Sequence, residues 1–335
     1  MSSKISVIGG GSWGTSLAQV ASENIDNVLI YVRDKEVVET INQESINYKY
    51  FPDKKLNNNI KATNNIDEIT DFAQDIILSV PTSATREIMQ KIEDKLTKKH
   101  TIISTAKGLE INSFKTNSEI IGEFFTGNIA VLSGPTHAEE VIKEIPTAIV
   151  AASKDMQVAK RIQKLLMTVR FRIYTIEDIK GVELAGAVKN IIAVASGVTD
   201  GIGYGDNTKA ALITRGLAEI VKFGLYLDTN RETYNGLAGL GDLVVTCNSN
   251  HSRNRRFGIQ IGKGKSFKEA ERIVDQVVEG AKTAKAVHKF LQEHTDIEMP
   301  ITEEVYKVLY LGKDPHQALD DLMLRQARNE FYYLP

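Results

Sequence analysis

Apolar positions follow two regimes along this 335-residue chain. In the first, short apolar runs recur at Lys4–Ile8, Val28–Tyr31, Asp75–Val80, Thr101–Ser104, Ile129–Leu132, Thr147–Ala151 and Phe171–Thr175. Runs this short, bounded by polar or turn-forming residues, read as β-strands. Between several of them, Gly14–Ser22, Arg86–Leu96 and Ala159–Met167 carry helical periodicity. Such alternation predicts an α/β fold with a doubly wound, largely parallel sheet. From about Gly181 the regime changes: the stretches 182–198, 208–227, 281–294 and 301–311 are long, rich in Ala, Gly and Leu, and poor in β-branched runs. They predict an all-helical second part. The length exceeds what one hydrophobic core usually supports, so we expect two domains, 1–180 and 181–335.

Composition narrows the class of partner. A net charge of −2 with 25% charged residues provides no broad electrostatic footprint for nucleic acid or an anionic membrane, so ligands should be small and locally recognised. The single cysteine, Cys247, excludes an internal disulfide framework and offers too few thiolates for a zinc or iron–sulfur site; no metal is expected. The N-terminus leads directly into a strand, and no later run approaches about 18 apolar residues. The expectation is a cytoplasmic protein without membrane insertion, in which the sequon Asn250-His251-Ser252 carries no weight.

The first chemical signal is Gly9-Gly10-Gly11-Ser12-Trp13-Gly14, a G-x-G-x-x-G run directly after one predicted strand and at the start of a helix. In that setting Gly9 permits a tight turn, Gly11 lets the backbone approach a diphosphate, and Gly14 allows close helix packing. The helix N-terminus attracts the negative charge. The first domain is therefore Rossmann-like and dinucleotide-binding. At the end of the second strand, Arg33 could stack on adenine and pair with a 2′-phosphate, which points to NADPH, while Asp34 beside it leaves NADH open. Lys107, just past the Thr101–Ser104 strand, stands where ligands gather in such sheets.

The second signal lies in the helical part. Lys189 interrupts an otherwise nearly apolar helix, where a desolvated ammonium can exchange a proton during catalysis. A lysine that snorkels from the helix edge or pairs with Glu183 is the plain alternative. Hydride transfer to a ketone leaves an alkoxide that such a group would protonate. The segment Gly236–Gly258, GLAGLGDLVVTCNSNHSRNRRFG, adds Asp242 to fix the lysine or bind a hydroxyl, Thr246 for a hydrogen bond, and Ser252-Arg253-Asn254 as a helix start suited to phosphate. Helix register also puts Asn190 near the lysine. Their plain alternatives are a turn aspartate, a strand threonine and an exposed basic turn. Cys247 reads as a small buried side chain.

These motifs together resemble the bacterial-type NAD(P)-dependent sn-glycerol-3-phosphate dehydrogenase family. The resemblance runs from Ile5 to the last helix through GGGSWGT at 9–15, AKGLE at 106–110, SGPTHAEEV at 133–141, the 182–219 helix region, GLAGLGDLVVTC at 236–247, SRNRRFG at 252–258 and VEG at 278–280. It implies reversible reduction of dihydroxyacetone phosphate to sn-glycerol 3-phosphate, a phospholipid precursor, in a possible homodimer. Carried over by motif, cofactor would meet Gly9, Gly11, Ser12, Trp13, Gly14, Arg33, Lys107, Ala138, Arg253, Val277 and Glu279. Substrate would meet Lys107, Gly134, Thr136, Lys189, Asp242, Ser252, Arg253 and Asn254, with Lys189 as proton donor and acceptor and Asp242 and Lys107 as its catalytic companions. Departures are Gly10 where alanine is usual, Arg33 where histidine is common, and Phe51-Pro52-Asp53 in place of Leu-Pro-Gly.

Overall fold

The computed structural model describes residues 3–275 and 277–330. The chain divides into two compact units, Met1–Lys107 with Thr116–Ile179 and Gly108–Lys115 with Lys180–Pro335.

The first unit is built on one sheet of eight strands: β1 (Lys4–Ile8), β2 (Asn27–Tyr31), β3 (Ile60–Thr63), β4 (Asp75–Leu78), β5 (Thr101–Ser104), β6 (Asn128–Ser133), β7 (Thr147–Ala152) and β8 (Phe171–Ile176). Their order is β3-β2-β1-β4-β5-β6-β7-β8, and each neighbouring pair is parallel except β6 and β7. β4 and β5 are buried at every position, as strands covered by helices on both faces must be. The edge strand β8 instead alternates, with Phe171 and Ile173 buried and Arg172 and Tyr174 exposed. Strand order reverses between β1 and β4, which makes the carboxyl end of β1 a topological switch point, the usual place for ligands.

β3 is a strand that the apolar pattern did not predict. Its sequence, IKAT, is short and carries an exposed lysine, and pairing with β2 is what makes it a strand. Predicted helices begin earlier than their apolar stripes suggested: Ser12–Ala21 and Thr82–Ile92 start on polar residues, and Met156–Leu166 starts at Met156, capped by the Asp155 carboxylate.

The second unit is helical around Ile179–Ile202, where Leu184, Ala185, Val188, Ile191 and Ile192 are all buried. Helices Asp206–Tyr226, Glu279–Glu293 and Pro300–Tyr310 cover the other predicted stretches. An 18-residue window of Ile179–Ile202 has a mean hydropathy of 1.3, enough by length and composition to cross a membrane, yet 94% of that window is buried within the protein. Glu183, Lys189 and Asn190 interrupt its apolar run, and it is the buried helix that the sequence predicts over 182–198. The segment Gly108–Lys115 also departs from the expected 1–180 boundary. Phe114 stacks on Phe290 at 4.4 Å and meets Phe223 edge-on at 5.8 Å, so aromatic packing holds it in the second unit.

Candidate active site

In the first unit the chain turns at Gly9 with φ +120°, a conformation that favours glycine. A Cβ on Gly9 would lie 2.1 Å from the Ser79 carbonyl oxygen, and one on Gly14 would lie 1.8 Å from the Gly9 oxygen. The protein's own backbone requires both glycines. Gly11 is different: its φ of −76° suits any residue, and a Cβ there would meet nothing within 4 Å. No packing constraint calls for glycine at that position, but a ligand that needs the backbone bare would. Gly11 also caps helix Ser12–Ala21 without a side-chain hydrogen bond, so first-turn amides and the positive end of the helix dipole serve that open space. The loop fits the diphosphate of a dinucleotide.

At the end of β2, Arg33 is exposed. Its neighbour Asp34 caps helix Lys35–Glu44, accepting from the Glu36 amide at 3.0 Å, and pairs with Lys49. The hydrogen bond from Lys49 holds the Asp34 carboxyl below its ordinary range. Asp34 is thus committed to the fold, whereas Arg33 faces solvent. Past β5 and β6, Lys107 Nζ and Thr136 Oγ1 donate to the same Gly134 carbonyl, at 2.8 and 3.1 Å. Ser16 Oγ donates to the Ala138 carbonyl at 3.0 Å, tying Ala138 to the helix of the glycine loop.

In the second unit the lysine is only 4% exposed, which rules out a snorkelling side chain. Lys189 Nζ donates to Asp242 Oδ1 at 2.8 Å and to Thr246 Oγ1 at 2.5 Å. Asp242 and Thr246 lie one turn apart on helix Asp242–Asn248, both buried, and the Thr246 hydroxyl is held to the Asp242 carbonyl at 2.6 Å. Thr246 is helical, so the strand alternative does not hold. A π-helical turn, Leu237–Gly241, enters this helix directly before Asp242. Such turns rotate the following register and recur at functional sites. Cys247 is buried, and burial pushes its thiol up to about 12, which leaves it inert as a nucleophile.

The basic turn resolves into separate tasks. Ser252 Oγ accepts from the Arg255 amide at 3.2 Å and caps helix Arg253–Gly262. Arg255 pairs with Asp200 at 2.7 Å and donates to Asn250 at 2.8 Å, while Arg256 donates to the Val274 carbonyl at 3.2 Å. Arg253 is exposed and, among the described residues, makes no ion pair. The Asn254 side chain is a tie, donating to Asn190 Oδ1 at 2.9 Å and accepting from the Gly280 amide at 2.9 Å. Asn190, expected to orient the lysine, in turn donates to the Gly186 carbonyl at 3.1 Å. Val277 is exposed, and Glu279 opens helix Glu279–Glu293. The sequence reading missed Asn47, whose buried amide binds the glycine loop.

The sheet order and the glycine loop define a Rossmann-type dinucleotide-binding protein, and the buried lysine–carboxylate pair suits a dehydrogenase. Comparison with known proteins extends this. The NAD-dependent glycerol-3-phosphate dehydrogenase N-terminus pattern matches residues 4–159, and the C-terminus pattern of the same family matches residues 178–320. The chain is 53% identical over 331 residues to glycerol-3-phosphate dehydrogenase (NAD(P)+) of Halothermothrix orenii, covering 98% of this chain and 97% of that one. It is 47% identical over 330 residues to the enzyme so named from Clostridium botulinum strain Eklund 17B, covering 98% of this chain and 100% of that one. The crystal structure of glycerol-3-phosphate dehydrogenase from Coxiella burnetii superposes with a TM-score of 0.92 at 38% identity, covering 97% of this chain and 99% of that one. The chain belongs to the NAD-dependent glycerol-3-phosphate dehydrogenase family.

Proposed function

We propose that the protein reversibly reduces dihydroxyacetone phosphate to sn-glycerol 3-phosphate with NADPH or NADH, Lys189 acting as proton donor and acceptor. The observation that carries this reading is the buried Lys189–Asp242 pair, 2.8 Å apart, in a chain of this family. A bound nicotinamide supplies the hydride that C2 of the ketone receives. Lys189 polarises the C2 carbonyl and gives its proton to the oxygen as negative charge develops there; in the oxidation direction the neutral amine takes that proton back. Asp242 compensates the charge of the buried ammonium, and Thr246 fixes its direction. Arg253, with the first-turn amides of helix Arg253–Gly262, holds the phosphate. Lys107, Gly134 and Thr136 form further substrate contacts, and Ser252 and Asn254 keep the phosphate end in shape.

The loop Gly9–Gly14, with Ser12 and Trp13, would hold the dinucleotide diphosphate, and Ala138, Val277 and Glu279 are further cofactor contacts carried over by motif. Exposed Arg33 favours a 2′-phosphate and hence NADPH, without excluding NADH. The product enters glycerophospholipid synthesis, and the enzyme works in the cytoplasm as a homodimer formed through its helical part.

The test follows nicotinamide absorbance with dihydroxyacetone phosphate and with unphosphorylated dihydroxyacetone, each against NADPH and NADH. Oxidation should require the phosphate. Lys189→Ala should keep dinucleotide affinity and lower turnover by orders of magnitude. Equal rates with the unphosphorylated ketone, or unchanged turnover in the variant, would overturn the reading.

A further inference from the structure

The glycine loop contains a peptide with no side chain on either flank, Gly10–Gly11. Nothing local stops such a peptide from turning over, because glycine accepts both signs of φ. A Cβ on Gly10 would lie 2.4 Å from Val32 Cγ2, so Val32 would have to shift before an alanine could stiffen it. What holds it comes from elsewhere. Asn47 Nδ2 donates to the Gly10 carbonyl at 3.0 Å and to Thr15 Oγ1 at 2.8 Å. Asn47 is fully buried, and its own carbonyl accepts from the Tyr50 and Phe51 amides at 3.2 and 2.8 Å, so the donor is anchored in a turn. The orientation of its amide follows from its neighbours, because the opposite one would set two carbonyl oxygens against each other.

A trans peptide is planar, so its C=O and N–H point in opposite directions. With the Gly10 carbonyl drawn toward buried Asn47, the Gly11 N–H points away from it, and beside Gly11 packing leaves space in which an added Cβ meets nothing within 4 Å. We infer that Asn47 is a positioning residue for the dinucleotide: it locks the Gly10–Gly11 peptide so that the Gly11 amide is aimed at the diphosphate before the ligand arrives. The second bond, to Thr15 on helix Ser12–Ala21, keeps the amide in place; the bond to Gly10 sets the direction of the loop. Preorganisation of this kind raises affinity by removing an ordering cost from binding, and leaves the chemical step alone.

The inference rests on the reading of the glycine loop as the dinucleotide site, and the test separates the two. The chain has one tryptophan, Trp13, in the first turn of the loop's helix, so intrinsic fluorescence reports on the loop itself. NADPH is titrated against Trp13 emission without ketone for the wild type, Asn47→Asp, Asn47→Ser and, as the control, Thr15→Val. Amide hydrogen exchange at Gly11–Trp13 is measured on the ligand-free proteins. Asn47→Asp matches asparagine in shape but presents an acceptor to Gly10, and should weaken NADPH about tenfold or more, the worth of a buried hydrogen bond. Asn47→Ser, smaller and still a donor, should fall between it and wild type and provides the measurement if the aspartate variant does not fold. Both should exchange faster at Gly11–Trp13 and keep kcat at saturating NADPH. Thr15→Val should stay within about threefold of wild type. Wild-type affinity and exchange in a folded Asn47 variant overturn the proposal and leave the dinucleotide reading standing; a wild-type protein that binds neither NADPH nor NADH overturns both.

Discussion

Glu219 carries a pH-dependent load that can be measured. It sits on helix Asp206–Tyr226 at 5% exposure and accepts from the Ile301 amide at 2.6 Å, the Thr302 amide at 3.2 Å and the Thr302 hydroxyl at 3.2 Å. It therefore closes the first turn of helix Pro300–Tyr310, which has no side-chain cap of its own. Burial pushes its pKa from 4.5 to about 7, against the pull of those donors and of the Arg325 charge. Between these values the folded protein retains a proton that the unfolded chain has released. Stability is thus greatest below 4.5, falls as pH rises through the window, and is lowest above about 7. At about 1.4 kcal/mol per unit, the shift corresponds to about 3 kcal/mol.

Glu219→Gln keeps the shape of the acid and is neutral at every pH, but its amide nitrogen donates where a carboxylate oxygen accepted, a loss that does not vary with pH. Its stability relative to wild type should therefore rise by about 2–3 kcal/mol between pH 5, where the wild-type acid still holds its proton, and pH 8, where it has released it. The measurement is hydrogen exchange of the Ile301–Val305 amides at both pH values, which reads the opening free energy of the capped turn. A variant-to-wild-type difference that stays constant from pH 5 to 8 would show that Glu219 is charged throughout, and would refute the argument that burial outweighs its three donors.

Two further predictions come from pairs of residues that the sequence presents as equivalent. Gly14→Ala places a methyl 1.8 Å from the Gly9 oxygen and should lower stability by about 1–3 kcal/mol in thermal unfolding; Gly11→Ala meets no protein atom, so it should unfold as wild type does and lose NADPH affinity instead. Normal NADPH binding by Gly11→Ala would show that the open space is not the ligand's. Arg253→Ala should raise KM for dihydroxyacetone phosphate with an unchanged Tm, whereas Arg255→Ala breaks the Asp200 pair and the Asn250 tie and should lower Tm. Equal effects of the two on KM and Tm would contradict the division of labour.

What the sequence made legible is what local pattern encodes. β4 and β5 announce themselves because every residue serves one buried strand, and the glycine loop because turn, approach and packing each need glycine within six positions of one another. β3 stayed hidden because IKAT becomes a strand only through its register with β2. Which arginine of the basic turn remains available, and that Thr246 belongs to a helix, depend on partners far away in sequence: Asp200 for Arg255, and Lys189 for the Asp242–Thr246 turn. Asn47 escaped for the same reason, since no local feature marks one asparagine in a polar loop as the clamp of a peptide 37 residues away.

The same physics explains how the second unit holds its chemistry steady. Gly197 and Gly201 on helix Ile179–Ile202 face Gly258 and Gly262 on helix Arg253–Gly262. A Cβ at any of the four would lie within 2.0–2.4 Å of a carbonyl oxygen on the facing helix. The two helices therefore touch backbone to backbone, with no flexible side chain between them to absorb a shift. Lys189 lies about two turns before Gly197 on one helix, and Arg253 opens the other just ahead of Gly258. The separation between Lys189 and Arg253 is consequently fixed by rigid backbone contact, and the Asn190–Asn254–Gly280 tie repeats the constraint at the other end of the pair. On the proposed roles of Lys189 and Arg253, such a ruler would suit a substrate whose ketone and phosphate stand a fixed number of bonds apart. The glycines of this unit that look like helix breakers in the sequence are what set its length.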